Sequence, residues 1–285
     1  MARMHETDIT SRRARFRELH QQGCFVMPNP WDVGSTRYLR RLGFRALATT
    51  SAGFGFSRGL PDSASALTRD VVLAHVREIV AAAADLPVNA DFQSGYASDA
   101  ESVGESVHLC VQTGVAGLSI EDSTGDADHP LFDLAEAVER IQAARAAIDA
   151  ADGDVLLTGR AECFLVGHPD PLRESIRRLQ AYATAGADVL FAPGACERDD
   201  IRALVTSLSP KPVNVLMSSN TGLRVADLAE LGVRRVSVGS ALARTAWAGF
   251  IRAARQLADD GSFAGLDGAA SFAELNALFG EDSAG

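Results

Sequence analysis

No stretch of the 285-residue sequence approaches the roughly 18 consecutive apolar residues that a membrane-spanning helix requires, so no membrane segment is expected. The opening residues, Met1 to His20, are charged throughout and lack an apolar core, so no signal peptide is expected either. Basic blocks are missing as well. The 27 Lys and Arg residues are outnumbered by 37 Asp and Glu, the net charge is −10, and Arg and Glu alternate along the helical stretches. Such a surface repels polyanions and argues against nucleic acid or anionic lipid as a partner. The four cysteines (Cys24, Cys110, Cys163, Cys196) show no close pairing, which excludes a disulfide framework and a cysteine-type zinc site. No Pro/Gly/Ser-rich linker divides the chain. The expectation is a reduced, cytoplasmic protein with a sizeable core, drawn from an ordinary 47% hydrophobic and 22% charged composition.

What is present is a recurrence: a short apolar run, then a longer amphipathic stretch. The runs Cys24–Met27, Ala46–Thr50, Val88–Asp91, Gly117–Glu121, Val155–Arg160, Val189–Ala192, Val213–Leu216 and Arg235–Val238 read as strands covered on both faces. Helices are predicted after them over Gly34–Leu42, Asp70–Ala84, Ala100–Thr113, Leu134–Ala150, Pro171–Ala185, Arg198–Ser207, Val225–Leu231 and Ala241–Ala258. Ser98 and Glu101 have capping-box spacing. Asp170-Pro171 places an acceptor at a cap and a preset φ behind it. Eight such units in one chain point to a (β/α)8 TIM barrel. A doubly wound sheet is the competitor, but its glycine-rich fingerprint is absent after the first strand, where Pro28-Asn29-Pro30 stands. The expected layout is one domain: a leading helix within 1–22, the barrel over 23–258 and a tail over 259–285. The apolar stretch Phe272–Phe279 is too short to fold alone and is expected to pack on the barrel or on a partner subunit.

In such a barrel the chemistry sits at the C-terminal ends of the strands. Alternation turns Asn89 and Asp91 the same way at the end of strand 3. Strand 4 ends in Glu121-Asp122, of which one faces inward. Strand 5 ends in Arg160 and continues to Glu162, and strand 7 carries Asn214. After strand 2 come the small residues Ser51, Ala52 and Gly53, which fit either a turn that brings amides to an anionic ligand or plain packing. None of the six histidines lies at a strand end. His129 and His168 fall in the loops after strands 4 and 5, within reach of the mouth, and a histidine-rich hydrolase site is not expected. Carboxylates from neighbouring strands repel unless a cation lies between them. Hard oxygen donors suit Mg²⁺, with Mn²⁺ as the alternative. A buried Asp–Arg pair with a purely architectural role is the competing explanation. Cys163 is expected to face the core.

At these residues the sequence resembles the isocitrate lyase/phosphoenolpyruvate mutase superfamily. The likeness runs from about Phe16 to Phe263. It rests on Asn29-Pro30-Trp31-Asp32, Thr50-Ser51-Ala52-Gly53, Leu60-Pro61-Asp62, Asn89-Ala90-Asp91 with Gly95-Tyr96, Ile120-Glu121-Asp122 and Gly159-Arg160-Ala161-Glu162. The resemblance implies the (β/α)8 barrel with a helix exchanged between subunits of a homodimer or homotetramer. It implies Mg²⁺ holding a 2-oxo acid or its enolate. By position, Asp91 looks like the direct metal ligand, with Asp62 and Glu121 acting through water. Ser51, Ala52 and Gly53 look like the carboxylate cradle, and Arg160 like the balance for enolate charge.

The departures are specific. The lyase branch carries a Lys-Lys-Cys-Gly-His loop after strand 4, with the cysteine as acid; here Ser123 to Pro130 holds neither lysine nor cysteine. The mutase gating lysine is missing too. Asn89 replaces an aspartate, Gln93 stands where some relatives have a glutamate, Glu162 replaces an aspartate, and Ala192-Pro193 stand where phosphonate-cleaving members use histidine. The expected activity is a Mg²⁺-dependent carbon–carbon lyase or decarboxylase on a small 2-oxo or 2-hydroxy di- or tricarboxylic acid, through a metal-bound enolate. Water or His129 would supply the proton. Phosphonopyruvate mutase or hydrolase chemistry is the first alternative. A 2-oxo acid binding protein with lost or repurposed catalysis is the second.

Overall fold

The computed structural model describes residues 2–63, 65–151 and 153–280, with side chains from residue 8 onward. Helix α1 (Ala2–Leu19) leads. Eight parallel strands follow, β1 (Phe25–Met27), β2 (Leu47–Ala48), β3 (Val88–Asp91), β4 (Gly117–Glu121), β5 (Leu156–Arg160), β6 (Val189–Phe191), β7 (Val213–Leu216) and β8 (Arg235–Ser237). They pair in the order β1-β8-β7-β6-β5-β4-β3-β2. The remaining seam is closed past the strand ends, where the Ala48 amide donates to the Pro28 carbonyl at 3.0 Å. Asn29 staples it further. Its Nδ2 donates to Thr49 O at 2.8 Å, and its Oδ1 accepts the Val238 and Gly239 amides at 3.0 and 2.9 Å. The result is the expected (β/α)8 barrel.

Among the described residues ten further α-helices follow: α2 (Val33–Arg41), α3 (Ser51–Ser57), α4 (Arg69–Ala83), α5 (Ala100–Val111), α6 (Leu134–Ala150), α7 (Pro171–Thr184), α8 (Arg198–Leu208), α9 (Val225–Glu230), α10 (Ala241–Asp260) and α11 (Phe272–Gly280). Outward strand residues such as Ala90, Leu118, Ile120, Leu157, Leu190 and Val236 pack on these helices in one continuous core. A second, smaller core lies inside the barrel: Phe16 and Leu19 of α1 insert among Phe25, Ala46, Leu156 and Val189. Arg12 and Arg13 tie α1 to the carbonyls of Ala84 and Val115, just before β3 and β4, so α1 plugs the end opposite the C-terminal strand ends.

Several local expectations are corrected. Strand 2 stops at Ala48. Thr50, expected in the strand, instead caps α3 through its hydroxyl, which accepts the Gly53 amide. Thus Ser51 to Gly53 form the first turn of a helix that the sequence reading did not include. The cap of α5 is Asp99, which accepts the Ser102 amide at 2.9 Å; Ser98 bonds Asp99 instead of capping. Asp170 makes no side-chain cap bond, although Pro171 opens α7 as expected. The tail packs on its own barrel: Arg41 donates to the carbonyls of Ala277 and Leu278, and the Phe279 ring lies against Gly34. Helix α10 buries only Ala243, leaving Trp247, Phe250 and Ile251 exposed. No helix among the described residues is long and apolar enough to cross a membrane.

Candidate active site

The register explains how the chemistry is assembled. Glu121, Arg160, Phe191, Asn214 and Arg235 are paired in one row across β4 to β8, and the row ends against Phe25 of β1. Strands in a closed barrel tilt, so such a row descends as it runs round. It begins at the open rim with Glu121 and Arg160. It ends at the floor, where Arg235 meets the plug side.

At the rim Arg160 is the hub. Its Nη1 lies 3.2 Å from Asp91 Oδ1 and 3.0 Å from Glu121 Oε2, and its Nε donates to Glu162. No described residue accepts from Nη2. The Phe191 ring lies 5.4 Å from the guanidinium carbon. Asp91 is fixed from the other side. Its Oδ2 accepts both the amide and the hydroxyl of Ser51 at 2.9 Å, and its own amide donates to the Thr49 hydroxyl. The cation expected between neighbouring acidic strand ends is therefore supplied, in part, by the protein itself.

One guanidinium does not settle the charge. Glu121 is raised well above the ordinary carboxylate range, first by burial and then by Glu162 and Asp91, with Arg160 pulling the other way. Glu162 is raised by burial against the pull of Arg160. Asp62 stands at the exposed rim and is raised by partial desolvation and by Asp91. The chemistry of this donor set, hard carboxylates in excess of their counter-charge, fits a divalent cation. Mg²⁺ is commonly held by one or two carboxylates with several waters. Among the described residues no three acidic, His or Cys side chains are placed to share one ion directly, so a cation here would rest on one or two of these carboxylates and water.

Asp122, the neighbour of Glu121, turns outward as alternation requires. Its carboxylate accepts the Glu162 amide at 2.8 Å, Arg178 at 3.0 Å and the Tyr182 hydroxyl at 2.6 Å. It thereby fixes the backbone just beyond Arg160. The loop after β3 is equally constrained. Gln93 and Tyr96 both have positive φ, of 44° and 52°, a costly region for side chains of that size. In return the Gln93 carbonyl accepts the Glu121 amide, which joins the ends of β3 and β4.

Two connected spaces open here. A cavity of about 180 Å³ runs from Ser51, Ala52, Asp62, Asp91 and Arg160 down to Asn214 and Arg235. A second, of about 280 Å³, covers the mouth and is lined by Gln93, Glu121, Ser123 and Glu162, sharing Ser51, Asp62 and Arg160 with the first. The structure thus brings Asp62, Asp91, Glu121, Arg160, Ser51, Ala52 and Asn214 to one cavity system. It does not bring Gly53, which lines neither space. A Cβ there would lie 2.6 Å from Thr50 Cγ2 and 3.2 Å from Trp31 Cβ, so the glycine serves close packing. Nor does it bring His129, which is exposed in the loop after β4 and lines neither space. Cys163 is buried in the core, as expected. Sequence reading missed Phe191 and Arg235. Arg235 was legible only as a charged residue opening the run Arg235–Val238.

A barrel whose open end gathers three carboxylates on one arginine, with a fourth at the rim, is suited to small, oxygen-rich anions. The chain matches the phosphoenolpyruvate phosphomutase family over residues 16–258, and it belongs to that family, within the isocitrate lyase/PEP mutase superfamily. A crystal structure of a lyase/mutase-type protein from Burkholderia cenocepacia is 44% identical, with a TM-score of 0.90 over 95% of this chain and 98% of that one. An uncharacterized protein of Mycobacterium tuberculosis is 37% identical over 79% of this chain and 81% of its own. An oxaloacetate decarboxylase of Paraburkholderia xenovorans is 30% identical over 81% of this chain and 76% of its own.

Proposed function

We propose that the protein is a divalent-cation-dependent carbon–carbon lyase or decarboxylase acting on a short 2-oxo or 2-hydroxy di- or tricarboxylic acid. The observation that carries this reading is the convergence of Asp91, Glu121 and Glu162 on Arg160 at the wall of an open cavity. Its likeness to an oxaloacetate decarboxylase supports the reaction class. Asp91 would hold the cation, Mg²⁺ or Mn²⁺, with Asp62 and Glu121 close enough in charge and position to assist through water. When bound, the cation would supply positive charge that stabilises the oxyanion developing on the 2-oxo oxygen.

The chain's own groups do the rest. Arg160 lines both spaces, and a guanidinium holds planar oxyanions in a fixed orientation. Ser51 and Ala52 shape the wall against which the substrate carboxylate rests. In the loop Ser123 to Pro130, Asp126, Asp128 and His129 are exposed and line neither space, so Glu121, raised by its burial and its acidic neighbours, is the side chain placed to hold a proton at the cavity. Asn214 keeps both polar ends engaged, donating to Ser237 and accepting from Arg235, and so stiffens the floor. We further propose that the apolar face of α10, with Trp247, Phe250 and Ile251, is covered by a second copy in a homodimer or homotetramer, with helices exchanged. Light scattering that gives a monomer mass would overturn that assembly.

The test is direct. The protein is incubated with Mg²⁺ and a panel of oxaloacetate and substituted malates, and pyruvate, glyoxylate and CO₂ are measured. Release of any of these supports the reading. Phosphate release from phosphonopyruvate would instead place it in phosphonate chemistry. Mg²⁺-dependent binding of 2-oxo acids without turnover would make it a binding protein.

A further inference from the structure

Below the rim, the same cavity meets a second guanidinium. Arg235 is 2% exposed inside the barrel. Three neutral acceptors hold it: Asn214 Oδ1 at 2.8 Å, Thr158 Oγ1 at 3.0 Å and His20 Nε2 at 3.3 Å. His20 is in the form this requires. Its Nδ1 lies 2.7 Å from the Phe16 carbonyl and donates to it, leaving Nε2 to accept. Burial, then the charge of Arg235, lowers the His20 pKa to about 3, so the imidazole is neutral.

No carboxylate among the described residues pairs with Arg235. Burial alone pulls its pKa down to about 9, and no acid pulls it back. It remains a cation at neutral pH. A buried charge without a partner is among the least favourable features a fold can carry. The sequence could have avoided it with an apolar residue of similar size, as it did elsewhere in the barrel. Instead it holds the charge with three dipoles and leaves it lining the space into which Asp91 and Arg160 also face.

We infer that Arg235 makes the floor of the cavity an anion subsite, which selects doubly charged short carboxylates over singly charged ones of the same shape. This deepens the proposed function and rests on it. The rim holds the 2-oxo acid head. The floor supplies the counter-charge for the ligand's second negative charge, which the acidic rim would otherwise repel. A unit charge held several ångströms away in a poorly screened interior changes affinity by about tenfold or more.

The experiment compares oxalate with oxamate, its monoanionic amide of nearly identical shape. Both are titrated calorimetrically at fixed excess Mg²⁺ into the wild type and into Arg235→Gln, Arg235→Met and Arg235→Lys. Two neutral variants are used so that a failure of one to fold does not end the test. The expected result is an oxalate affinity reduced about tenfold or more in both neutral variants, with oxamate changed less than threefold. Arg235→Lys should keep the wild-type ratio within about threefold. An arginine of purely structural importance would shift both probes alike and lower the melting temperature, leaving the ratio fixed. That outcome, or an unchanged ratio with both affinities intact, overturns the inference while the reading of the rim stands. If the wild type binds neither probe in Mg²⁺, the rim reading fails and the floor inference falls with it.

Discussion

Replacing Arg160 by Met removes the guanidinium from among Asp91, Glu121 and Glu162 while keeping much of the side chain's length. The three acid side chains are 18%, 14% and 6% exposed, so water only partly replaces the lost partner. Breaking a buried pair in this way costs about 3–5 kcal/mol, and the partial exposure places this site near 3 kcal/mol. In a domain of this size that is a fall in melting temperature of roughly 6–12 °C. The loss depends on pH in a fixed direction. Glu121 and Glu162 are already raised in the folded protein by burial, and the substitution removes the charge that pulls them down. An acid raised on folding binds more protons when folded, so its stabilising contribution is present below its unfolded value and is lost as pH rises through its folded value. The variant should therefore lose most stability, relative to the wild type, at alkaline pH and should recover as the pH falls toward the ordinary carboxylate range. Thermal melts by circular dichroism across that range measure it. A deficit that stays constant with pH would refute the electrostatic account and assign the loss to packing against Phe191. Arg160→Lys, which keeps the charge and loses the fork, should cut turnover about a hundredfold on whatever acid is cleaved, with a smaller change in KM.

Asp91→Asn should abolish the Mg²⁺ dependence of 2-oxo acid binding, read by calorimetry, while the fold persists because the amide oxygen can still accept from Ser51. Asn29→Ala should destabilise the barrel by about 2–4 kcal/mol in urea unfolding, since it leaves the Thr49 carbonyl after β2 and the Val238 and Gly239 amides after β8 without their partner. Tyr182→Phe should cost about 1–2 kcal/mol, because Asp122 loses one of its three donors in a buried site. It should lower turnover more than affinity, since Asp122 fixes the backbone of Glu162; equal effects on both would refute that positioning role.

Much of this site was legible from alternation alone. Asp91, Glu121, Arg160 and Glu162 stand at strand ends, and a period of two decides which of them share a face. Glu121 turns in and Asp122 turns out for that reason. Three other features were not legible, each for a physical reason. Ser51 to Gly53 are compatible with a turn or a helix start, and the Thr50 hydroxyl bond to the Gly53 amide decides between them. Ser98 and Asp99 are adjacent and both cap well; only the backbone path shows that Asp99 faces the Ser102 amide. His129 sits in a loop whose course depends on an isolated bridge between Ser123 and Leu131 and on the bond from the Thr124 hydroxyl to the His129 carbonyl, neither of which leaves a periodic trace.

Arg235 is the more instructive omission. Strand ends can be found in a sequence, but the depth of a residue inside a closed barrel depends on shear, which no single strand encodes. Arg160 and Arg235 occupy the same hydrogen-bonded row, yet one opens onto solvent among acids and the other lies on the floor among neutral groups. Their surroundings give them opposite electrostatic roles. Arg160 is over-compensated and draws its value from holding carboxylates in place. Arg235 is uncompensated and draws its value from what it can attract. An acidic rim alone would disfavour any anionic ligand, and a cationic floor alone would destabilise the empty barrel. Placed at opposite ends of one cavity, the two offset each other when a cation and a doubly charged acid lie between them, so the favourable arrangement of charge is completed by the ligands.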